Sequence, residues 1–307
     1  MPETASEKVS VTICIPTFRR PKSLKRLLEA IAALDTDVSL SVVVADNDAQ
    51  DHAGFDMARA MAPACRWPLK AVIAEQRGIA QVRNRLIAEA LRGDARFIAM
   101  IDDDEWPAPG WITHFLAAAR ATGADVLQGS ILFGQGGAAD GHADIRRPSG
   151  PIAMLQGAGN ILLTRAVLEE MPAPWFDPEF ALSGGEDQEF FTRLARAGKR
   201  FAWVDEAIAH GDVPDSRAGL CWLLKRAYSV GNSDMRVLLK HQPGAAVMLR
   251  ESGKILAALL LSPPLAVILA LSPNRRAVPL QKLCRAAGKL TAMFGARYNE
   301  YAVVHGE

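Results

Sequence analysis

Phe97-Ile98-Ala99-Met100-Ile101-Asp102-Asp103-Asp104-Glu105-Trp106-Pro107 is the stretch on which the reading of this chain turns. Five apolar residues in a row form a short strand buried on both faces, and four consecutive acids stop it. Carboxylates crowded at a strand end repel one another, and the relief is a raised pKa, a bound cation or splaying into water. Side chains alternate along an extended segment, which would put Asp102 and Asp104 on one side and Asp103 and Glu105 on the other. The Asp-x-Asp pair so formed offers hard oxygen ligands suited to Mg2+ or Mn2+, ions that bind through one or two carboxylates plus the phosphates of a substrate. A solvated acidic turn has the same composition, so the surroundings decide.

Upstream, Val11-Thr12-Ile13-Cys14-Ile15 reads as a first strand. Pro16-Thr17-Phe18-Arg19-Arg20-Pro21 follows, then a helix with Leu24, Leu27, Leu28 and Ile31 on one face. A second strand, Leu40 to Ala45, ends in Asp46-Asn47-Asp48. A third, around Ala71-Val72-Ile73, leads through Arg77-Gly78 into a helix carrying Ile79, Val82, Leu86 and Ala90. Apolar, unalternating strands separated by helices predict an α/β fold, a Rossmann-like, mostly parallel sheet flanked by helices. Ligands of such sheets sit beyond the C-terminal strand ends, where Thr17, Arg19, Asp46, Asp48, Arg77 and the acids all fall. The first strand-helix turn has no Gly-x-Gly-x-x-Gly and no Walker lysine, which argues against a dinucleotide oxidoreductase and a P-loop NTPase.

Further on, the Gly-Ala-rich stretch from Gly134 to Gly150 reads as a surface connection, and Gly157-Ala158-Gly159-Asn160 as a place of tight packing. Ser183-Gly184-Gly185-Glu186-Asp187-Gln188-Glu189 opens a helix with Phe190, Phe191 and Leu194 on its apolar side. First-turn acids suit the helix dipole, and the same position can hold a carboxylate ionised where it takes a proton from a hydroxyl. A strand at Arg200 to Val204 leads to Asp205-Glu206 and His210-Gly211-Asp212.

The 307 residues, 50% of them hydrophobic, suffice for one large domain or two smaller ones with a substantial core. A net charge of +1 conceals an asymmetry, since residues 241 to 307 hold eight Lys or Arg against three Glu and leave a deficit of four on the rest. Four scattered cysteines give no zinc or disulfide framework and suit a reducing cytosol. Met1 to Ser10 lacks the apolar stretch of a secretory signal, so the expected location is cytoplasmic.

Taken in order, Ile15-Pro16-Thr17-Phe18-Arg19-Arg20, Val43-Val44-Ala45-Asp46-Asn47, Arg77-Gly78 with Arg83-Asn84, Ile101-Asp102-Asp103-Asp104-Glu105 and Gly184-Gly185-Glu186-Asp187-Gln188-Glu189 resemble the inverting nucleotide-sugar glycosyltransferases of family 2, whose fold is called GT-A. The resemblance spans about residues 10 to 215. Within the family it is similar to bacterial exopolysaccharide glucosyltransferases of the succinoglycan type. It implies a glycosyltransferase domain over residues 1 to 240, with a nucleotide-binding half at about 10 to 105 and an acceptor half at about 106 to 215. It also implies that Pro16, Thr17 and Arg19 border the nucleotide, that Asp46 reads the uracil edge, that Arg83 lies by the base or diphosphate, and that Arg77 is a further substrate-binding residue. Asp102 would hold the ribose or sugar, Asp104 would bind the metal with help from Asp103 or Glu105, and His210 would join it. Asp187 would be the base that activates the acceptor hydroxyl, with Glu186 beside the substrate. Ala45 departs from the pattern, standing where many members carry the first acid of an Asp-Asp pair.

The expected activity is transfer of a hexose, glucose by the closer resemblance, from a UDP-sugar to a lipid-linked or oligosaccharide acceptor, with Mg2+ or Mn2+. The competing readings are a nucleotidyltransferase acting on sugar phosphates, a hydrolase using Asp104 and Asp187, and a non-catalytic nucleotide- or carbohydrate-binding subunit. Residues 241 to 307 form a separate basic, apolar tail. Ile255 to Leu271 is apolar but has 17 residues, short of the about 20 of a straight span, and Pro263-Pro264 divides it. With Lys254 before it and Arg275-Arg276 after it, the segment is expected to form a helical hairpin or two short helices on an anionic membrane surface. The tail has no stacking platform for nucleic acid, which is not an expected partner.

Overall fold

In a computed structural model, residues 9–133, 144–212, 219–271 and 277–300 are described. They fall into two compact units, one comprising the chain to Pro178 with Phe190–Asp212, the other Glu179–Glu189 with the chain from Val213 to His305. Residues 134–143 of the predicted surface connection, and the Arg275-Arg276 flank of the tail, lie outside the described residues.

The first unit is built on one sheet of nine strands. β1 (Ser10–Thr17) pairs in parallel with β2 (Ser39–Asp46) and β4 (Phe97–Met100), and β2 in parallel with β3 (Leu69–Ile73). Helices α1 (Pro21–Ala32), α2 (Ala53–Met61) and α3 (Ile79–Ala90) connect these strands. This half is the expected parallel sheet, with Ile13, Ile15, Val44 and Ala99 fully buried in its core together with α1's Leu24, Leu27 and Ile31. The C-terminal ends of β1 and β2 lie side by side, Thr17 opposite Asp46, so the turns after the strands share one edge.

The other half of the sheet is mixed. β8 (Ile161–Thr164) runs antiparallel between β4 and β6 (Val126–Phe133), while β9 (Phe201–Gly211) is parallel to β6 and antiparallel to β5 (Glu105–Pro107) and β7 (Gly150–Ile152). Helices α4 (Trp111–Thr122) and α5 (Arg165–Glu170) complete this part. The register of β6 on β9 shifts between Gly129 and Ile131, and the amide of Asn160 fills the interruption. Its Nδ2 donates to the carbonyls of Ser130 at 2.8 Å and Ala207 at 3.0 Å, and its Oδ1 accepts from Trp111 Nε1 at 2.6 Å. Tight packing at residues 157 to 160 is therefore present, with Asn160 wholly buried at a φ of 48°.

Helix α6 (Glu186–Arg196) gives its first turn to the second unit and the remainder to the first. The second unit otherwise consists of α7 (Leu220–Lys240), α8 (Ala245–Ile268) and α9 (Ala277–Met293). α7 and α9 touch backbone to backbone, since a Cβ on Gly231 would lie 2.1 Å from the Arg285 carbonyl and one on Gly288 2.1 Å from that of Tyr228. The expected break at Pro263-Pro264 does not occur, and α8 is one continuous helix through both. Two prolines remove the amide bonds to the carbonyls of residues 259 and 260. Ahead of that gap, Ile255, Ala258 and Leu259 pack against residues of α7 and α9, and Glu251 pairs with Lys254 and Lys289 at 2.7 and 2.8 Å. Among the described residues it is the one helix long and apolar enough to cross a membrane by length and composition. Its other side is bare, with Leu249, Leu256, Leu260, Leu261, Val267 and Ile268 between 57% and 77% exposed.

Candidate active site

β4 ends at Met100, and Asp102 to Asp104 form a turn closed by the Glu105 amide donating to the Asp102 carbonyl at 3.1 Å. The alternation expected of an extended segment is therefore lost. Asp103 and Asp104 share one partner, Arg20, whose Nη1 donates to Asp103 Oδ1 at 3.0 Å and to Asp104 Oδ2 at 2.8 Å. Asp102 and Glu105 share the other edge, and a Cβ on Gly159 would meet Glu105 Oε1 at 3.0 Å and Asp102 Oδ2 at 3.1 Å. A turn brings side chains of unlike parity together, which a strand forbids.

Neighbouring elements hold each acid differently. Thr17 Oγ1, at the end of β1, donates to Asp103 Oδ2 at 2.9 Å, and the Phe18 amide adds a longer bond of 3.4 Å. Arg83, on α3, donates to Asp102 Oδ1 at 3.2 Å. Asp103 is buried, and its carboxyl is pushed up to about 7, first by loss of water and then by the charge of Asp104, against the pull of Arg20 and Thr17. Burial, then repulsion from Asp102 and Asp104, raises Glu105 well above the usual carboxylate range, and Glu105 Oε2 is buried without a hydrogen-bond partner.

The second strand end is occupied mainly with its own turn. Both oxygens of Asp46 accept backbone amides, from Asp48 and from Phe55 at 2.9 Å each, and burial raises its pKa despite them. Asn47 ties the end of β2 to the turn after β3 by accepting from the Gly78 amide at 2.6 Å and donating to the carbonyls of Ala74 and Gln76. Arg19, at a φ of 55°, pairs with Asp48 at 2.5 Å and holds that carboxyl below its usual range. Arg19 and Arg77 each lie 5.2 Å from the centre of the Phe18 ring, while Pro16 sits inside β1 opposite Ala45.

His210, on β9, stacks on Trp106 at 5.8 Å, and Arg26 lies over the Trp106 ring at 3.7 Å while pairing with Asp212 at 2.6 Å. The Asp212 amide donates to the Asp104 carbonyl at 3.3 Å, which ties the end of β9 to the acidic turn. In the second unit, Gly184 and Gly185, at φ of 74° and 94°, lead into the first turn of α6, where Glu186 is buried and Asp187 Oδ1 accepts from the Gln188 amide at 2.7 Å.

The structure thus gathers Thr17, Arg83, Asp102, Asp103 and Asp104 into one cluster, with Arg19, Asp46 and Arg77 in the adjoining turns and Glu186 and Asp187 in the other unit. Sequence reasoning gave no individual role to Arg20, Phe18 or Asn47, and marked Asn160 only as part of a tightly packed stretch. A basic residue just before the helix-opening Pro21 was the available signal for Arg20. No three His, Cys, Asp or Glu side chains among the described residues are arranged to enclose a metal ion. The acids nevertheless fit a hard divalent ion that takes one or two carboxylates and completes its shell from a diphosphate. The donors are all oxygen, and their mutual repulsion is incompletely relieved.

Residues 12–167 match the family described as glycosyl transferase family 2. The succinoglycan biosynthesis protein ExoM of Rhizobium meliloti (strain 1021) is 31% identical over 252 residues, covering 78% of each chain. Among solved structures, the mannosyltransferase PcManGT from Pyrobaculum calidifontis in complex with GDP-Man and Mn2+ superimposes with a TM-score of 0.62 at 17% identity, over 91% of this chain and 86% of that one. S. aureus TarS residues 1–349 in complex with UDP-GlcNAc gives a TM-score of 0.51 at 15% identity, over 97% and 95%. The fold is that of the GT-A glycosyltransferases. The chain belongs to glycosyltransferase family 2 and is a glycosyltransferase related to succinoglycan biosynthesis.

Proposed function

We propose that this enzyme is an inverting, divalent-metal-dependent hexosyltransferase that moves glucose from a UDP-sugar to a membrane-linked saccharide in polysaccharide synthesis. The observation that carries the reading is the acidic turn at the end of β4, held by Thr17, Arg20 and Arg83 at the edge where a parallel sheet receives ligands. Pro16, Thr17, Arg19, Asp46, Arg77 and Arg83 border the nucleotide, Asp46 by fixing the turn that faces it. Asp102 and Asp103 orient the ribose and sugar. Asp104, with His210, holds Mg2+ or Mn2+, which when bound supplies Lewis-acid stabilisation of the departing diphosphate. Asp187 takes the proton of the acceptor hydroxyl while that oxygen forms the new bond to the anomeric carbon, and Glu186 borders the acceptor. The bond from that carbon to the diphosphate breaks on the opposite side, so an α-linked donor gives a β-glycoside.

The GDP-Man and Mn2+ of the PcManGT complex and the UDP-GlcNAc of the TarS complex support a nucleotide-sugar and a divalent ion here, and ExoM's part in succinoglycan biosynthesis supports a polysaccharide acceptor. Residues 1–240 are the catalytic part and 241–307 a tail that meets the inner face of the cell membrane through the bare side of α8. Incubation of the purified protein with UDP-glucose and a lipid-linked oligosaccharide, followed by NMR of the anomeric proton, tests this. One UDP per β-glucoside, with loss of turnover in chelator, is expected. An α-product, or turnover that survives chelator, would sink the mechanism.

A further inference from the structure

Arg20 is the cation paired with the two central acids of the turn, Asp103 and Asp104. Its one nitrogen Nη1 contacts both Asp103 and Asp104, and its side chain is 17% exposed. The residue is fixed from both sides. It follows Arg19 in its left-handed conformation and precedes Pro21, the first residue of α1, and its carbonyl accepts the Leu24 amide at 3.0 Å. Asp103 has further anchors in Thr17 and Phe18, whereas Asp104 is the more open of the two acids at 22% side-chain exposure. A divalent ion at Asp104 would approach within a few ångströms of a guanidinium that stays charged at every working pH. Either Arg20 gives up Asp104 or the ion binds against a like charge.

We propose that Arg20 is the resident counter-cation of the acidic turn, a positioning residue that holds Asp103 and Asp104 together before donor arrives and couples metal entry to the diphosphate. The diphosphate brings the negative charge that the displaced guanidinium then faces, so ion and nucleotide bind far better together than apart. This rests on the metal role proposed for Asp104.

The test is Mn2+ titration of the full-length protein followed by electron paramagnetic resonance, with and without UDP, in wild type, Arg20→Gln, Arg20→Lys and Asp104→Asn, with thermal melts to check folding. Wild type should bind Mn2+ at least about tenfold more tightly with UDP than without. Arg20→Gln should tighten Mn2+ alone by about tenfold and shrink the effect of UDP, while Arg20→Lys stays within about threefold of wild type. A merely structural Arg20 would weaken binding when replaced. Unchanged or weaker Mn2+ binding in Arg20→Gln, with Asp104→Asn still losing the ion, overturns the inference and leaves the metal reading standing. If Arg20→Gln does not fold, a wild-type gain from UDP below about threefold overturns it instead. No Mn2+ binding in wild type with UDP removes the metal reading and the inference together.

Discussion

Replacing Asn160 by alanine should be among the most costly single changes in the first unit. Three buried groups depend on its amide, namely Trp111 Nε1 and the carbonyls of Ser130 and Ala207. The orientation is unambiguous, because an indole nitrogen only donates and a carbonyl only accepts. Asn160 has no exposed surface, so water cannot replace it without the strands opening. At about 1–3 kcal/mol for each of the three buried groups left unpaired, the loss is roughly 3–9 kcal/mol, and an alanine at positive φ adds about 1 kcal/mol. Against a typical stability of about 5–15 kcal/mol this leaves little, and a fall in melting temperature of about 10 °C or more is expected. Differential scanning calorimetry or urea unfolding, run beside Asn160→Asp, reads it. The aspartate keeps the bond from Trp111 but turns a carboxyl towards two carbonyls, and it should be no better than alanine near neutral pH. A drop below about 3 °C in Asn160→Ala would refute the claim that this amide bridges the interrupted ladder.

Asp187→Asn should keep chelator-sensitive donor binding and lose transfer by about 10²-fold or more, read in parallel UDP binding and turnover assays; near-normal turnover removes Asp187 from the mechanism. Glu251, paired with Lys254 and Lys289, has its carboxyl lowered from an ordinary 4.5 to about 2. A depressed folded pKa gives stability that is complete above the unfolded value and is lost as pH falls through the folded one, here between about 4.5 and about 2. The contribution is at most about 3 kcal/mol at neutral pH, and Glu251→Gln should flatten that part of the melting temperature-against-pH curve. Leu260→Gln with Leu261→Gln should reduce sedimentation with anionic vesicles without lowering the melting temperature; unchanged sedimentation would point away from the exposed side of α8.

Much of the first half of the sheet is legible because its strands are short apolar runs ending in polar clusters, and period and punctuation agree. Val11 to Ile15, Leu40 to Ala45 and Phe97 to Met100 all form the strands expected, and the acids sit where the last of them stops. The arrangement within the acidic run was not legible, since four like residues carry no period and the turn follows from the Asp102 carbonyl accepting the Glu105 amide. Asn160 and Arg20 share a different difficulty. Each matters through partners distant in sequence, Asn160 through Trp111 and Ala207, Arg20 through Asp103 and Asp104, and neither lies in a periodic pattern that would expose it. α8 departs from local propensity. Two prolines forecast a break, yet the helix runs through both, with Ile255, Ala258 and Leu259 packed on neighbouring helices in the half before them.

The glycine contact between α7 and α9 has a practical consequence for shortening this protein. Gly231 and Gly288 leave no room for even a methyl group between the two backbones, so each helix is shaped as the other's mould. A version ending between Leu271 and Ala277 would uncover the groove at Gly231, leave Asn232 without its bond to the Ala296 carbonyl and strip Lys289 from Glu251. Trimming the oily end of the chain to improve handling should therefore spare all three helices, because α7 also holds Ser183, through Ser233 at 3.1 Å and Arg236 at 2.6 Å, just ahead of Glu186 and Asp187. A cut after Leu271 keeps the greasy side of α8 and adds an unfinished groove on α7.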